Sequence, residues 1–160
     1  MDIFQKFSSQ YLLYYPRWQQ ACHLGKVPTV IQAFNIDEAK TIRMISSYTH
    51  QALRFVNARY KPDSDQIDML SNILVSSYPN MKLTQLMLFY SKLLAGEFGK
   101  LYNTVDPLDI TTRLHKFWKG ECRDWETYGR DCNKWEEWQP DQTNDEEKCI
   151  DIRLYNNYGT

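Results

Sequence analysis

Three histidines and four cysteines are the residues of this 160-residue chain with the strongest capacity for metal binding or nucleophilic catalysis. His23, His50 and His115 share no ligand-like spacing with one another or with Cys22, Cys122, Cys132 and Cys149. A zinc site needs such groups at short, paired intervals. Cys122 and Cys132 fall on one predicted helix, where a rise of about 15 Å puts them beyond disulfide reach. The run Gly96-Glu97-Phe98-Gly99-Lys100-Leu101-Tyr102 lacks the Lys-Ser/Thr pair of a phosphate-binding loop and follows a helix pattern instead of a strand. The acidic run 141–148 lacks the central glycine and final glutamate of a calcium loop. No nucleophile–base–orienter set assembles from these residues, so the sequence predicts a non-enzyme with no metal site and no cofactor.

Two other groups could do binding work. Lys92, Lys100, Arg113, Lys116 and Lys119 surround the two-glycine connection, and Arg113, Lys116 and Lys119 advance by threes along a helix. Lys100, Arg113, Lys116 and Lys119 are the candidates for contact with DNA phosphates, with Tyr102 or Trp118 able to stack on a base. The alternative is a solvated basic face. Trp125, Tyr128, Trp135 and Trp138 repeat at helical steps among acidic neighbours. They are candidate partner-binding anchors, because large aromatics carry much of an interface's energy, or else they pack on their own domain.

The elements that must position these groups can be read from punctuation and period. Pro79 biases Tyr78 away from helical backbone, so one helix ends near Ser77. Leu83, Leu86, Leu88, Phe89, Tyr90, Leu93 and Leu94 then form a helix dense enough in apolar residues to be largely buried. Gly96 is a left-handed cap, and Gly96, Gly99 or both should take positive φ to reverse the chain. Phe98 and Tyr102 should then face the bundle. Asp106-Pro107 starts the next helix, the aspartate as cap and the proline at the first helical position.

Helices are therefore predicted over 36–60, 64–77, 83–95 and 107–119 or beyond, with at most two short strands. Asn35 or Asp37 caps the first and Asp63 or Ser64 the second. The first should bury Ile42, Ile45, Tyr48 or Thr49, Ala52, Leu53, Val56 and Tyr60, turning Arg43, His50, Arg54 and Lys61 outward. The second should bury Ile67, Leu70, Ile73, Leu74 and Ser77. The fold class is all-α: a compact bundle of four or more helices. An aromatic N-terminal arm occupies 1–34, the helical core 35–120, and an acidic, Trp-rich helical extension and tail 121–160. In the arm, Phe4, Phe7, Tyr11 and Tyr14 or Tyr15 are spaced to cover the core or to enter a partner's groove.

Composition bounds the rest. An aromatic share of 14% supplies ample core-forming material. The net charge of −1 conceals an asymmetry, since residues 121–151 carry eleven acidic and four basic side chains while the first 60 residues carry a net +4. That argues against nucleic acid covering the whole surface and leaves room for a local basic patch. No apolar run approaches the roughly 20 residues of a membrane span, and no signal-peptide core is present. With cysteines that suggest reduced thiols, this predicts a soluble cytoplasmic protein that does not engage a membrane.

Between Ile73 and Trp118, Tyr78-Pro79, the Leu-rich helix, Gly96-Glu97-Phe98-Gly99-Lys100-Leu101-Tyr102 and Val105-Asp106-Pro107 resemble a pattern in small uncharacterised helical proteins of Bacteroides-type phages and mobile elements. More loosely, the Tyr-Pro followed by a helical pair is similar to phage helicase loader/inhibitor proteins. The Trp-rich extension is not part of that pattern. The resemblance implies a non-enzymatic adaptor in phage or mobile-element DNA replication. Such an adaptor would bind a replicative helicase or another phage or host protein, with a weak DNA contact. The alternative is a structural or regulatory phage protein that binds a host or virion partner through aromatic helices. Homo-oligomerisation stays open.

Overall fold

The computed structural model describes residues 2–14, 27–101 and 103–120. Among them are six α-helices: α1 (Ile3–Lys6), α2 (Val30–Ile36), α3 (Glu38–Phe55), α4 (Ser64–Ser77), α5 (Leu83–Leu94) and α6 (Pro107–Lys119). A 3-10 segment, Ser9–Tyr14, follows α1. The described residues contain no β-strand, only two isolated bridges, Thr29 with Lys82 and Tyr60 with Thr104. None of their helices is long and apolar enough to cross a membrane.

Five of the six helices start where a side chain accepts from one of their unpaired N–H groups; α5 is the exception. Asp37 accepts from Lys40 N at 3.0 Å. Asp63 and Gln66 form a reciprocal capping box, as do Thr29 and Gln32. Asp106 accepts from Leu108 N at 2.8 Å and donates its own N–H to Asp109 at 2.8 Å, with Pro107 beginning the helix. The helices α4, α5 and α6 match the predicted spans to within a residue.

The predicted helix 36–60 is shorter at both ends. Asp37 has extended backbone and caps α3, so the turn before it belongs to a separate helix, α2, in place of the end of the expected irregular arm. At the other end Val56 is extended (φ −81°, ψ 125°). The N–H groups of Arg59 and Tyr60 then donate to Asn103 O at 2.9 and 3.0 Å, and Tyr60 O accepts from Val105 N at 2.8 Å. Tyr60, placed by helical phase in the buried stripe, is therefore exposed. On α4 the buried set is Ile67, Leu70, Ser71, Leu74 and Val75, while Ile73 and Ser77 face solvent. The packed face of α4 is rotated toward α3, where Ser46 Oγ donates to Asp68 at 2.7 Å and lies 2.8 Å from Ser71 Oγ.

Helix α5 is the centre. Leu83 through Ser91 and Leu93 are all buried, so its whole circumference is covered. Helix α3 lies along one side, joined to it by Tyr90 and Thr49, whose oxygens are 2.7 Å apart. Residues 2–14 lie against α3 and α5. Ile3, Phe7 and Leu12 are buried, Tyr48 donates to Phe7 O, and Ser91 donates to Leu12 O at 2.6 Å. The arm's aromatic spacing is thus used within the chain: Phe7 is core, and Phe4 and Tyr11 pack on it. Helix α6 closes another side through Phe117, whose ring centroid is 5.7 Å from that of Phe89.

Burial holds the Tyr90 hydroxyl in its protonated form, with its pKa pushed up to about 12; the hydrogen bond to Thr49 opposes that shift. The folded chain keeps this proton above pH 10, where the unfolded chain has lost it. Stability should accordingly be intact below pH 10 and fall as pH rises from 10 toward 12, by up to about 3 kcal/mol. Chemical denaturation at pH 8 and pH 11 measures the loss. In a Tyr90→Phe/Thr49→Val variant, which leaves no unpaired hydroxyl, the part of the loss due to Tyr90 should vanish.

Candidate functional site

The two-glycine connection between α5 and α6 is the hub of the basic candidates. Gly96 and Gly99 both have positive φ, +78° and +86°, in the left-handed region that a Cβ disfavours. They turn Phe98 inward, where it stacks on Phe89 at 5.5 Å and meets Phe117 edge-on at 6.1 Å. Tyr102, expected to face the bundle as well, lies outside the described residues.

The four cations assigned to DNA are not equivalent. Arg113 is half-buried and turned toward the glycine connection. Its Nε donates to Phe98 O at 3.1 Å, and its two terminal nitrogens donate to Asp109 O at 2.8 Å and Lys100 O at 3.4 Å. Asp109 also lies within 3.8 Å of the guanidinium. Arg113 therefore braces the connection against α6, with three of its five N–H donors engaged there. Lys100, Lys116 and Lys119 are exposed. The structure thus separates one structural cation from three that face solvent.

On the other flank of α6, Trp118 meets Tyr78 edge-on at 6.1 Å, and His115 Nδ1 lies 3.4 Å from the Tyr78 hydroxyl. Burial raises the Tyr78 pKa. This cluster ties the C-terminal ends of α4 and α6 together, as the Tyr60–Thr104 bridge ties the segments leading into them. His50 is exposed, and no group of three His, Cys, Asp or Glu side chains among the described residues could hold a metal ion. His23, the four cysteines and the partner-binding candidates Trp125, Tyr128, Trp135 and Trp138 lie outside the described residues.

One exposed group escaped the sequence reading. Phe55 and Tyr60 stand out in solvent beside Arg54, Arg59 and Lys61. The available signal was the interleaving of cations and aromatics just before Lys61-Pro62-Asp63, and it was hidden by carrying the helix of α3 five residues too far.

A family model described as a family of unknown function (DUF6633) matches residues 60–153, more than half of the chain. The chain belongs to this family. Comparisons with curated proteins and with solved structures find no match. The DUF6633 span contains α4, α5, the glycine connection and α6, and runs on through the Trp-rich extension. It leaves out α1, α2 and α3, although these supply much of the cover over α5.

The bracing role of Arg113 and the two left-handed glycines lead to one comparison. Arg113→Gln should lower stability by about 1 kcal/mol through lost hydrogen bonds. Gly96→Ala and Gly99→Ala should each cost about 1 kcal/mol by backbone strain, since a Cβ at either position meets no atom within 4 Å. Lys116→Gln/Lys119→Gln should leave the Tm unchanged. Thermal unfolding of the four variants separates bracing residues from surface residues.

Proposed function

We propose that this DUF6633 protein is an adaptor of phage or mobile-element DNA replication that acts by binding a partner protein. Its partner is a replicative helicase or a protein of comparable role, engaged by Trp125, Tyr128, Trp135 and Trp138. A secondary DNA contact runs through Lys100, Lys116 and Lys119. The observation that carries the reading is the family span. It extends 33 residues past the end of the last described turn, through 153, so the aromatic, acidic stretch belongs with α4–α6 as part of one inherited unit. Large aromatics at helical spacing supply interface anchors at low conformational cost.

Two further features support it. The bundle leaves Met69 on α4 and Leu108 on α6 more than 60% exposed, apolar surface that a partner can cover. The motifs behind the phage resemblance, Tyr78-Pro79, the two glycines and Asp106-Pro107, act as a helix stop, turns and a cap. They mark a scaffold, and a scaffold needs its binding surface elsewhere.

The test is co-elution of the purified protein with the replicative helicase of its host cell. Trp125→Ala/Trp135→Ala should abolish co-elution and leave the unfolding of the bundle unchanged. Loss of the bundle's own stability would make these side chains core and remove the proposed interface. Absence of co-elution by the parent protein would exclude the helicase as partner.

A further inference from the structure

Residues 54–61 read Arg-Phe-Val-Asn-Ala-Arg-Tyr-Lys, and the fold sorts them into two sets. Val56 and Ala58 turn inward, packing on a small cluster of Leu53, Ile67 and Val105 with Leu101. Phe55 and Tyr60 turn outward, 74% and 59% exposed, and Arg54, Arg59 and Lys61 are exposed with them. The Arg59 guanidinium lies 5.5 Å from the centroid of the Tyr60 ring.

The backbone that carries these side chains is fixed. Arg59 N and Tyr60 N both donate to Asn103 O, and Tyr60 O accepts from Val105 N. The inward Val56 and Ala58 anchor the preceding residues. The neighbouring carboxylates Asp63 and Asp106 are engaged as caps, accepting from Gln66 N at 2.9 Å and Leu108 N at 2.8 Å. There they face the positive ends of α4 and α6, which offset their charge. A single exposed aromatic needs no explanation. Two of them within eight residues that also hold three cations, on a braced backbone, call for one.

We propose that residues 54–61 form a binding site for single-stranded nucleic acid. Phe55 and Tyr60 offer ring faces to unpaired bases, and Arg54, Arg59 and Lys61 neutralise the phosphates on either side. Stacking is indifferent to base identity because every base has a π-face, and the phosphate contacts carry no sequence information. The site therefore binds with little sequence preference. A duplex hides its base faces in the stack, so only an unpaired strand engages both parts of the site. The Arg59–Tyr60 pair adds a guanidinium plane already held over a ring, a combination that also suits a base. This site is separate from Lys116 and Lys119 on α6 and does not depend on the helicase reading.

Fluorescence anisotropy with a labelled oligothymidine of 20 nucleotides tests it, with a duplex of equal length as comparison, at 50 and 200 mM salt. The single strand should bind at least tenfold tighter than the duplex. Tyr60→Ala and Phe55→Ala should each weaken binding by about fivefold or more with the Tm unchanged, whereas Tyr60→Phe should retain it. Arg54→Gln/Arg59→Gln/Lys61→Gln should reduce the slope of log affinity against log salt by about 2. Binding that survives Tyr60→Ala and Phe55→Ala but is lost in Lys116→Gln/Lys119→Gln overturns this site and leaves the DNA contact of α6 standing. No binding at 50 mM salt overturns both. Equal binding to a polyglutamate peptide also overturns it, because the patch would then be a general acidic-ligand surface.

Discussion

Helix α5 has almost no solvent face, and the rest of the structure follows from that. A helix that is apolar around its whole circumference can exist in water only inside a shell. Ten of its twelve residues are buried, so every neighbour is defined by the side it covers. Helix α3 takes the side of Tyr90, the N-terminal segment the side of Ser91, and Phe98 and Phe117 the side of Phe89. Two of the buried polar residues of α5, Gln85 and Ser91, find partners inside the shell. The Gln85 side chain accepts from Lys82 N at 2.9 Å, and Ser91 reaches a carbonyl of the covering segment. Each such bond adds modest net stability, but leaving a buried hydroxyl unpaired costs more than the bond itself contributes. Tyr90 and Ser91 therefore favour α3 and the N-terminal segment as their neighbours.

Local punctuation was legible in the sequence wherever the physics is local. A cap needs only a short oxygen-bearing side chain and the next few N–H groups, so Asp106 could be read directly, and Asp37 and Asp63 each as one of two candidates. A reversal needs positive φ, so Gly96 and Gly99 could be read as well, and the density of apolar residues in 83–94 announced a buried helix. The Thr29–Gln32 box was equally local, yet it stood among Gly25 and Pro28 and was read as part of an irregular arm. The larger errors came from extending helical phase past its stop. Beyond Phe55 the backbone is extended, so a position counted in steps of three and four loses its meaning, and Tyr60 changed from core to surface. Ile73 failed for a different reason: the rotation of α4 is set by Ser46 on α3, and nothing within α4 reports it.

The binding candidates show the same division. Spacing along α6 placed Arg113, Lys116 and Lys119 on one edge, and spacing cannot distinguish a cation facing water from one facing carbonyls. Arg113 lies opposite the Phe98 and Lys100 carbonyls only because two left-handed glycines bring them there. The family boundary adds a second lesson. The DUF6633 match begins at Tyr60, the residue whose backbone is tied to the segment entering α6. The matched span thus starts at the tie between the segment leaving α3 and the segment entering α6, and the shell around α5 is completed by sequence that the family model does not include.

The Ser91–Leu12 bond joins residues 79 positions apart, and the Tyr90–Thr49 bond joins residues 41 apart. During synthesis the chain leaves the ribosome from its N-terminus, so α1, α2 and α3 emerge well before the helix they enclose. Until about residue 94 has cleared the exit tunnel, Phe7, Leu12, Ile45 and Tyr48 have no α5 to pack against. At roughly 5–20 residues per second, this half-shell spends seconds with its concave side open. A chain built around a central helix encoded late therefore leaves the apolar faces of its earlier helices uncovered until that helix has been made.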